Sequence, residues 1–259
     1  MSIIEKMNRE GYCVIPGVLN NEEVNLVRNF YSEISKQTNL TTLLPTDILK
    51  QSDVFNLIMK NKIIESIKIL FGKDFSLFPN FTIRESVYIP WHNDAYFLPN
   101  EIFHSNTPLQ FMQCAIYLQD NDLVSGGGVT VIPFSHRLDK VTVLSMLETP
   151  HVYEEVITSK AGDLILWDNR ITHRSTYPDK TPDNKKIALQ WTVTASEKYN
   201  DSFLKYLCAR VKQNLHVSDF LNKSPKPYFA DMSNVIYPDS FSKEILEMME
   251  KYNIKFIGL

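Results

Sequence analysis

The chain has 259 residues, of which 44% are hydrophobic, 12% aromatic and 22% charged, a balance typical of a globular protein and unlike a disordered one. A formal net charge of −3 argues against a phosphate-tracking surface, so nucleic acid is not expected as a partner. Cys13, Cys114 and Cys208 are far apart and odd in number, which argues for free, buried thiols and a reducing, cytoplasmic setting.

The opening stretch MSIIEKMNREGY carries acidic residues and no long apolar run, so it does not read as a signal peptide. No later run is long enough to predict a membrane span. GYCVIPG reads as a short strand between turn residues. The following VLNNEEVNLVRNFYSEI predicts a helix over about 21–36, with Val24, Val27, Phe30, Tyr31 and Ile34 in one stripe. Residues 40–72 read as mostly helical, ending at a glycine.

From 75 to 194 the pattern changes to short β-rich runs: FSLFPNFTIRESVYI, PLQFMQCAIYLQD, GGVTVIPF, KVTVLSM, HVYEEVIT, DLILWDN and KIALQWTVTA. Strands at this spacing without long intervening helices argue for a sandwich or barrel rather than a βαβ fold. After about 200, DSFLKYLCARVKQNL and SKEILEMMEKYN read as helices. The expectation is one domain over 1–259, mainly β with flanking helices: a helical part at about 18–72, a barrel core at about 75–194, and C-terminal helices at about 200–255. The triple glycine of NDLVSGGG reads as a tight connection; with no GK[ST] after it, it is no phosphate loop.

Within YIPWHNDAYF, His92 and Asp94 stand two apart, a spacing that puts both on one face of a strand. Such a pair can bind a metal, act as an acid–base couple or cap a strand end. His173, at the end of AGDLILWDNRITH, adds a second imidazole. Two histidines and a carboxylate form the facial triad of non-haem Fe(II) oxygenases, which leaves coordination positions open. Zinc is the chemical rival, and a lone histidine in a strand is more often a hydrogen-bonded structural residue.

Four blocks in order resemble the phytanoyl-CoA dioxygenase family of Fe(II)- and 2-oxoglutarate-dependent oxygenases: MNREGYCVIPGVLNNEEVNLVRNF, PWHNDAYF, CAIYLQDNDLVSGGGVTVIPFSHR and AGDLILWDNRITHRS. The resemblance implies a double-stranded β-helix, a jelly-roll, cupin-like barrel with the metal near one open end. It also implies that Fe(II) is held by His92, Asp94 and His173, with 2-oxoglutarate and O2 consumed and succinate and CO2 released. The family usually carries an Arg after the distal histidine to grip the cosubstrate's far carboxylate; here the chain offers lysines. Aligning KIALQWTV puts Lys186 at that position, with Lys185 as the fallback and Ser175 or Thr82 as supporting hydroxyls.

A lysine neutralises a carboxylate but lacks the bidentate fork of Arg. Arg174, next to His173, is expected to face away. Gln113 and Tyr117 alternate along one strand and suit cosubstrate or substrate binding, or simply packing. Arg84 would need an anionic partner if it points inward, and reads as a substrate-binding candidate. Tyr96 and Phe97 could line the entrance, and His104 lies in a loop that could cover it, although a surface histidine is the commoner case. Trp91 and Asn93 are expected to point away from the metal, Trp167 to be core, and Ser135 and His136 to order a loop. In related halogenases Gly or Ala replaces the carboxylate, so Asp94 favours hydroxylation or another hydrogen-abstraction outcome. The expected substrate is a small polar or anionic metabolite. Two alternatives remain: a non-enzymatic jelly-roll protein with a vestigial site, and a zinc- or manganese-dependent cupin isomerase.

Overall fold

Ser2 and Glu5 open the chain with a reciprocal capping box: Glu5 N–H donates to Ser2 Oγ (3.2 Å) and Ser2 N–H to Glu5 Oε2 (2.7 Å). This satisfies two otherwise unpaired donors and starts α1 (Ile3–Glu10), which Gly11 ends at φ +85°. The computed structural model describes residues 1–38, 41–43, 45–95, 98–104, 107–148, 153–177, 185–209, 218–219 and 243–257. After β1 (Tyr12–Ile15), Asn20 and Glu23 repeat the capping device ahead of α2 (Asn21–Thr38). Val24, Val27 and Tyr31 of the predicted stripe are buried, with Phe30 and Ile34 packed against the same core.

Past β2 (Thr42–Leu43) come α3 (Pro45–Leu49), α4 (Ser52–Ile58) and α5 (Asn61–Phe71), closed by Gly72. The β region contains β3 (Ser76–Leu77), β4 (Thr82–Glu85), β5 (Val87–Tyr88), β6 (Phe111–Tyr117) and β7 (Val129–Val131). KVTVLSM, predicted as a strand, is instead α6 (Lys140–Met146). Asp139 caps it, accepting from Thr142 N (3.0 Å) and Thr142 Oγ1 (2.6 Å), and the cap outweighs the weak strand preference of its β-branched residues. There follow β8 (Glu155–Val156), shorter than predicted, then β9 (Leu164–Asp168), β10 (His173–Ser175), β11 (Ile187–Thr194), α7 (Asn200–Ala209), β12 (Ser218–Asp219), α8 (Lys243–Lys251) and β13 (Lys255–Phe256).

One large sheet runs β1-β9-β6-β11-β3-β13, with β4 also paired to β11 and β2 paired to β4. A small sheet, β10-β7-β8, lies apart from it, and β12 pairs β5. Helix accounts for 39% and strand for 23% of the described residues, so the fold is mixed α/β rather than mainly β. The strands are short, and one whole face of the large sheet is roofed by helices. There Val27, Phe55, Ile63 and Ile67 meet Cys114, Leu166, Leu189 and Ile83 in the main core. On the opposite face, Ala115, Tyr117, Ile165 and Ala188 pack with Val129 and Val131 of the small sheet. The site lies between the sheets on this side. Cys13 and Cys114 are buried and free, and among the described residues no helix is long and apolar enough to cross a membrane.

Candidate metal centre

His92 and His173 face each other as partners in an antiparallel bridge, exchanging backbone hydrogen bonds of 2.9 and 3.0 Å. The first histidine is thereby locked against the start of β10. Asp94 joins them from a turn, not from a strand as its spacing predicted. That turn is set by Asn93, whose Oδ1 accepts from Ala95 N (2.9 Å) while its Nδ2 donates to the carbonyl of Arg170. Asn93 therefore points away from the centre, as expected, and holds the His-x-Asp segment to the β9–β10 connection.

One donor atom from each of His92, Asp94 and His173 lies within 4.8 Å of the others. Asp94 Oδ1 is 3.6 Å from His92 Nε2 and Asp94 Oδ2 is 3.4 Å from His173 Nε2. His92 Nδ1 lies 2.8 Å from Pro90 O, and His173 Nδ1 lies 3.0 Å from Ile171 O. A carbonyl only accepts, so both Nδ1 atoms carry the proton and both Nε2 lone pairs face the carboxylate. Two oriented imidazoles and one anion suit a divalent cation.

The centre opens into a cavity of about 190 Å³. Gln113, Tyr117, Arg84 and Ser175 line it, as do Gln190 and Thr192, which the sequence reading missed. Gln190 and Thr192 continue the inward alternation of Lys186 and Ala188 along β11, which was the available signal. Asn80, Asn169, Phe203 and Tyr206 also line it and were missed; Asn80 sits in a stretch resembling a turn, and Phe203 and Tyr206 come from α7. Asn80 Nδ2 donates to Thr192 Oγ1 (2.7 Å), which donates to Gln113 Oε1 (2.5 Å). Trp167 is core, as expected, buried in the cluster between the sheets, and it also lines the cavity with its ring centroid 5.3 Å from that of His173.

A smaller annex of about 40 Å³ adjoins, lined by Arg84, Tyr117, Ser175, Lys186 and Gln190 among others. Ala188 has Arg84 and Tyr117 as its register partners on either side, and its small side chain leaves room for both. Lys186 is 7% exposed; burial holds its ammonium below the usual lysine range, and among the described residues no ion pair meets it. Its stem passes Gly127, where a Cβ would come within 2.6 Å of Lys186 Cδ. Burial also pushes the Tyr117 phenol up, with Gln190 and the Arg84 charge opposing. Ser175 Oγ accepts from Ile89 N (3.0 Å).

Three predicted residues are elsewhere. Lys185 points out on the opposite side of the chain and pairs with Glu85 (2.9 Å). Thr82 is fully buried outside the cavity lining; its Oγ1 accepts from Arg84 Nε (3.2 Å), so it positions that arginine. His104 is exposed and does not line the cavity. Tyr96 and Phe97 lie outside the described residues. Arg174 reaches the cavity rim, stacked over Trp91 at 5.1 Å and paired with Glu154 (2.9 Å). Ser135 acts as scaffold, its Oγ accepting from Thr172 N (2.8 Å), and His136 lies beside Asn8 O.

Residues 62–187 match the family described as Phytanoyl-CoA dioxygenase (PhyH). No curated protein matches the chain significantly in sequence. Among solved structures it is similar to the non-heme alpha ketoglutarate dependent epimerase SnoN from nogalamycin biosynthesis, with a TM-score of 0.57 at 16% identity over 92% of this chain and 96% of that one. EctD from S. alaskensis with bound Fe gives 0.57 at 19% identity, over 74% and 75% of the two chains. HygX from Streptomyces hygroscopicus, with nickel and 2-oxoglutarate bound, gives 0.58 at 14% identity over 75% and 86%. At these identities the likeness is one of fold.

Proposed function

From the match of residues 62–187 to the phytanoyl-CoA dioxygenase family, we propose that this chain is a member of that family and an Fe(II)- and 2-oxoglutarate-dependent oxygenase that hydroxylates a small metabolite. The observation that carries the reading is the convergence of His92, Asp94 and His173 with both Nε2 lone pairs turned toward the carboxylate. Their chemistry fits Fe(II), and a vestigial site would have lost one of them. Bound there, Fe(II) with 2-oxoglutarate and O2 supplies the oxidising power to remove hydrogen from an unactivated C–H bond, with succinate and CO2 released.

The protein's part is orientation, charge and exclusion of water. His92 and His173 are held by the carbonyls of Pro90 and Ile171, so each presents one fixed nitrogen. Asp94 supplies the third ligand and partly neutralises a dication. Lys186 and Arg84, both on the annex wall, offer positive charge for the far carboxylate of 2-oxoglutarate, with the Ser175 hydroxyl beside them. Arg84 thus moves from substrate candidate to cosubstrate candidate. The apolar sheet interface behind Ala188 and Val129 keeps bulk water from this end. The solved relatives include an epimerase and a carbocyclase; Asp94 fills the position a halide would need and is compatible with each of these hydrogen-abstraction outcomes, of which hydroxylation is the one proposed for this chain.

The test is anaerobic addition of Fe(II) and 2-oxoglutarate to the purified protein. A visible metal-to-ligand charge-transfer band is expected, lost in His173→Ala. A folded protein that binds Fe(II) without developing the band would overturn the reading.

A further inference from the structure

The cavity has two chemically different ends along β6. Lys186, Arg84 and Tyr117 gather where β6 finishes, and Asn169 is tied to its start, its backbone N–H donating to Phe111 O (3.2 Å). Asn169 is 1% exposed and lines the cavity, yet among the described residues neither its Oδ1 nor its Nδ2 has a hydrogen-bond partner. Trp167, two residues earlier, is 2% exposed, and its indole Nε1–H is also buried without a partner among the described residues. Buried polar groups are almost always paired, so three unpaired atoms on two residues of one wall call for an explanation.

Neighbouring groups do not supply it. Asn80, Thr192 and Gln113 are joined to one another, and Asp168, between the two residues in sequence, is taken by Arg170 (2.6 Å). The aromatic rings of Phe203 and Tyr206 from α7 complete this side of the cavity.

We propose that Asn169 and the Trp167 indole form the substrate-recognition end of the cavity, and that it takes an uncharged carboxamide-type group on a substrate whose body lies against Phe203 and Tyr206. The Asn169 side chain offers one acceptor and two donors, the complement of a carboxamide, and the indole adds a donor for its carbonyl oxygen. A carboxylate would satisfy the donors but leave Asn169 Oδ1 facing like charge. The substrate expectation narrows accordingly from polar or anionic to polar and neutral. The inference rests on the oxygenase reading, which assigns the cationic annex to the cosubstrate.

The probes are benzamide and its isosteric anion benzoate, titrated by ligand-observed NMR against metal-free protein and against protein loaded anaerobically with Fe(II) and 2-oxoglutarate. Benzamide is expected to bind at least about tenfold more tightly than benzoate, and Asn169→Leu to lose that preference. The variant should keep the charge-transfer band and melt no lower than the unmodified protein, because it removes an unpaired amide rather than a bonded one. Asn169→Ala reads the same quantities if the leucine variant does not fold. Equal or tighter benzoate binding by the loaded protein, no benzamide binding by the unmodified protein, or a clear fall in melting temperature in Asn169→Ala each overturns the proposal. Absence of the band in the unmodified protein counts against the oxygenase reading alone, since loss of benzamide binding on Asn169→Leu in metal-free protein still reports on Asn169.

Discussion

Replacing Asp168 by Asn should be among the most damaging single changes outside the metal centre. Arg170 is 6% exposed in its side chain and Asp168 3%. Two guanidinium nitrogens donate to the carboxylate, Nε at 2.9 Å and Nη2 at 2.6 Å, while Nη1 donates to the carbonyls of Ile102 (3.0 Å) and Thr107 (3.1 Å). Asn at 168 keeps the shape and removes the counter-charge, leaving a buried guanidinium uncompensated. Breaking such a pair from one side costs about 3–5 kcal/mol. At about 2–4 °C per kcal/mol for a chain of this size, the melting temperature should fall by roughly 6–20 °C. The double change Asp168→Leu with Arg170→Met removes both charges, but leaves the Arg170 backbone N–H and the Ile102 and Thr107 carbonyls without partners, at about 1–3 kcal/mol each. Urea denaturation and thermal melts of the three proteins measure these quantities. A loss below about 1 kcal/mol in Asp168→Asn would refute the argument. Because the Arg170 carbonyl holds Asn93, the single variant should also bind Fe(II) more weakly.

Lys186→Ala should raise the dissociation constant of 2-oxoglutarate roughly 10- to 150-fold, the worth of a charge-assisted hydrogen bond, while Lys185→Ala leaves it unchanged; calorimetric titration distinguishes them. Gly127→Ala should destabilise the fold by about 1–2 kcal/mol, since φ there is +83°, and should also weaken 2-oxoglutarate binding by pushing on Lys186. Burial holds His136 below its ordinary value of 6.5. As pH falls through 6.5 the unfolded chain therefore takes up the proton before the folded one, and stability present above that pH is progressively lost below it. Urea midpoints from pH 8 to 5.5 should fall less steeply in His136→Gln than in the unmodified protein, and equal slopes would contradict the assignment.

The metal donors were legible because order and spacing carry them: His92, Asp94 and His173 depend on a few local turns, each marked in the sequence. The α2 stripe was legible for the same reason. What could not be read was whatever depends on a third partner. Trp167 is core, as its apolar strand suggests, but only the sheet register puts it beside His173. Asn169 gives no periodic signal at all; its meaning lies in the bonds it does not make. KVTVLSM misled because strand propensity is weak and a single capping aspartate reversed it. Lys186 and Lys185 were separable in principle by alternation alone, and the Glu85 pairing of Lys185 agrees.

The His92–His173 bridge has a bearing on biogenesis. Its two members are far apart in sequence, and the strand that brings the second one back can pair only after the chain has crossed the large sheet through β6 and β9. A contact of such long range forms late, after its loop-closure entropy has been met. A nascent chain that has not yet reached residue 173 therefore carries two donors on an unsupported turn and has little hold on a cation. Capture waits for the small sheet to seat. Iron uptake then reports that β10 has paired into the small sheet, and a chain stalled before β10 is spared a redox-active ion it could not shield.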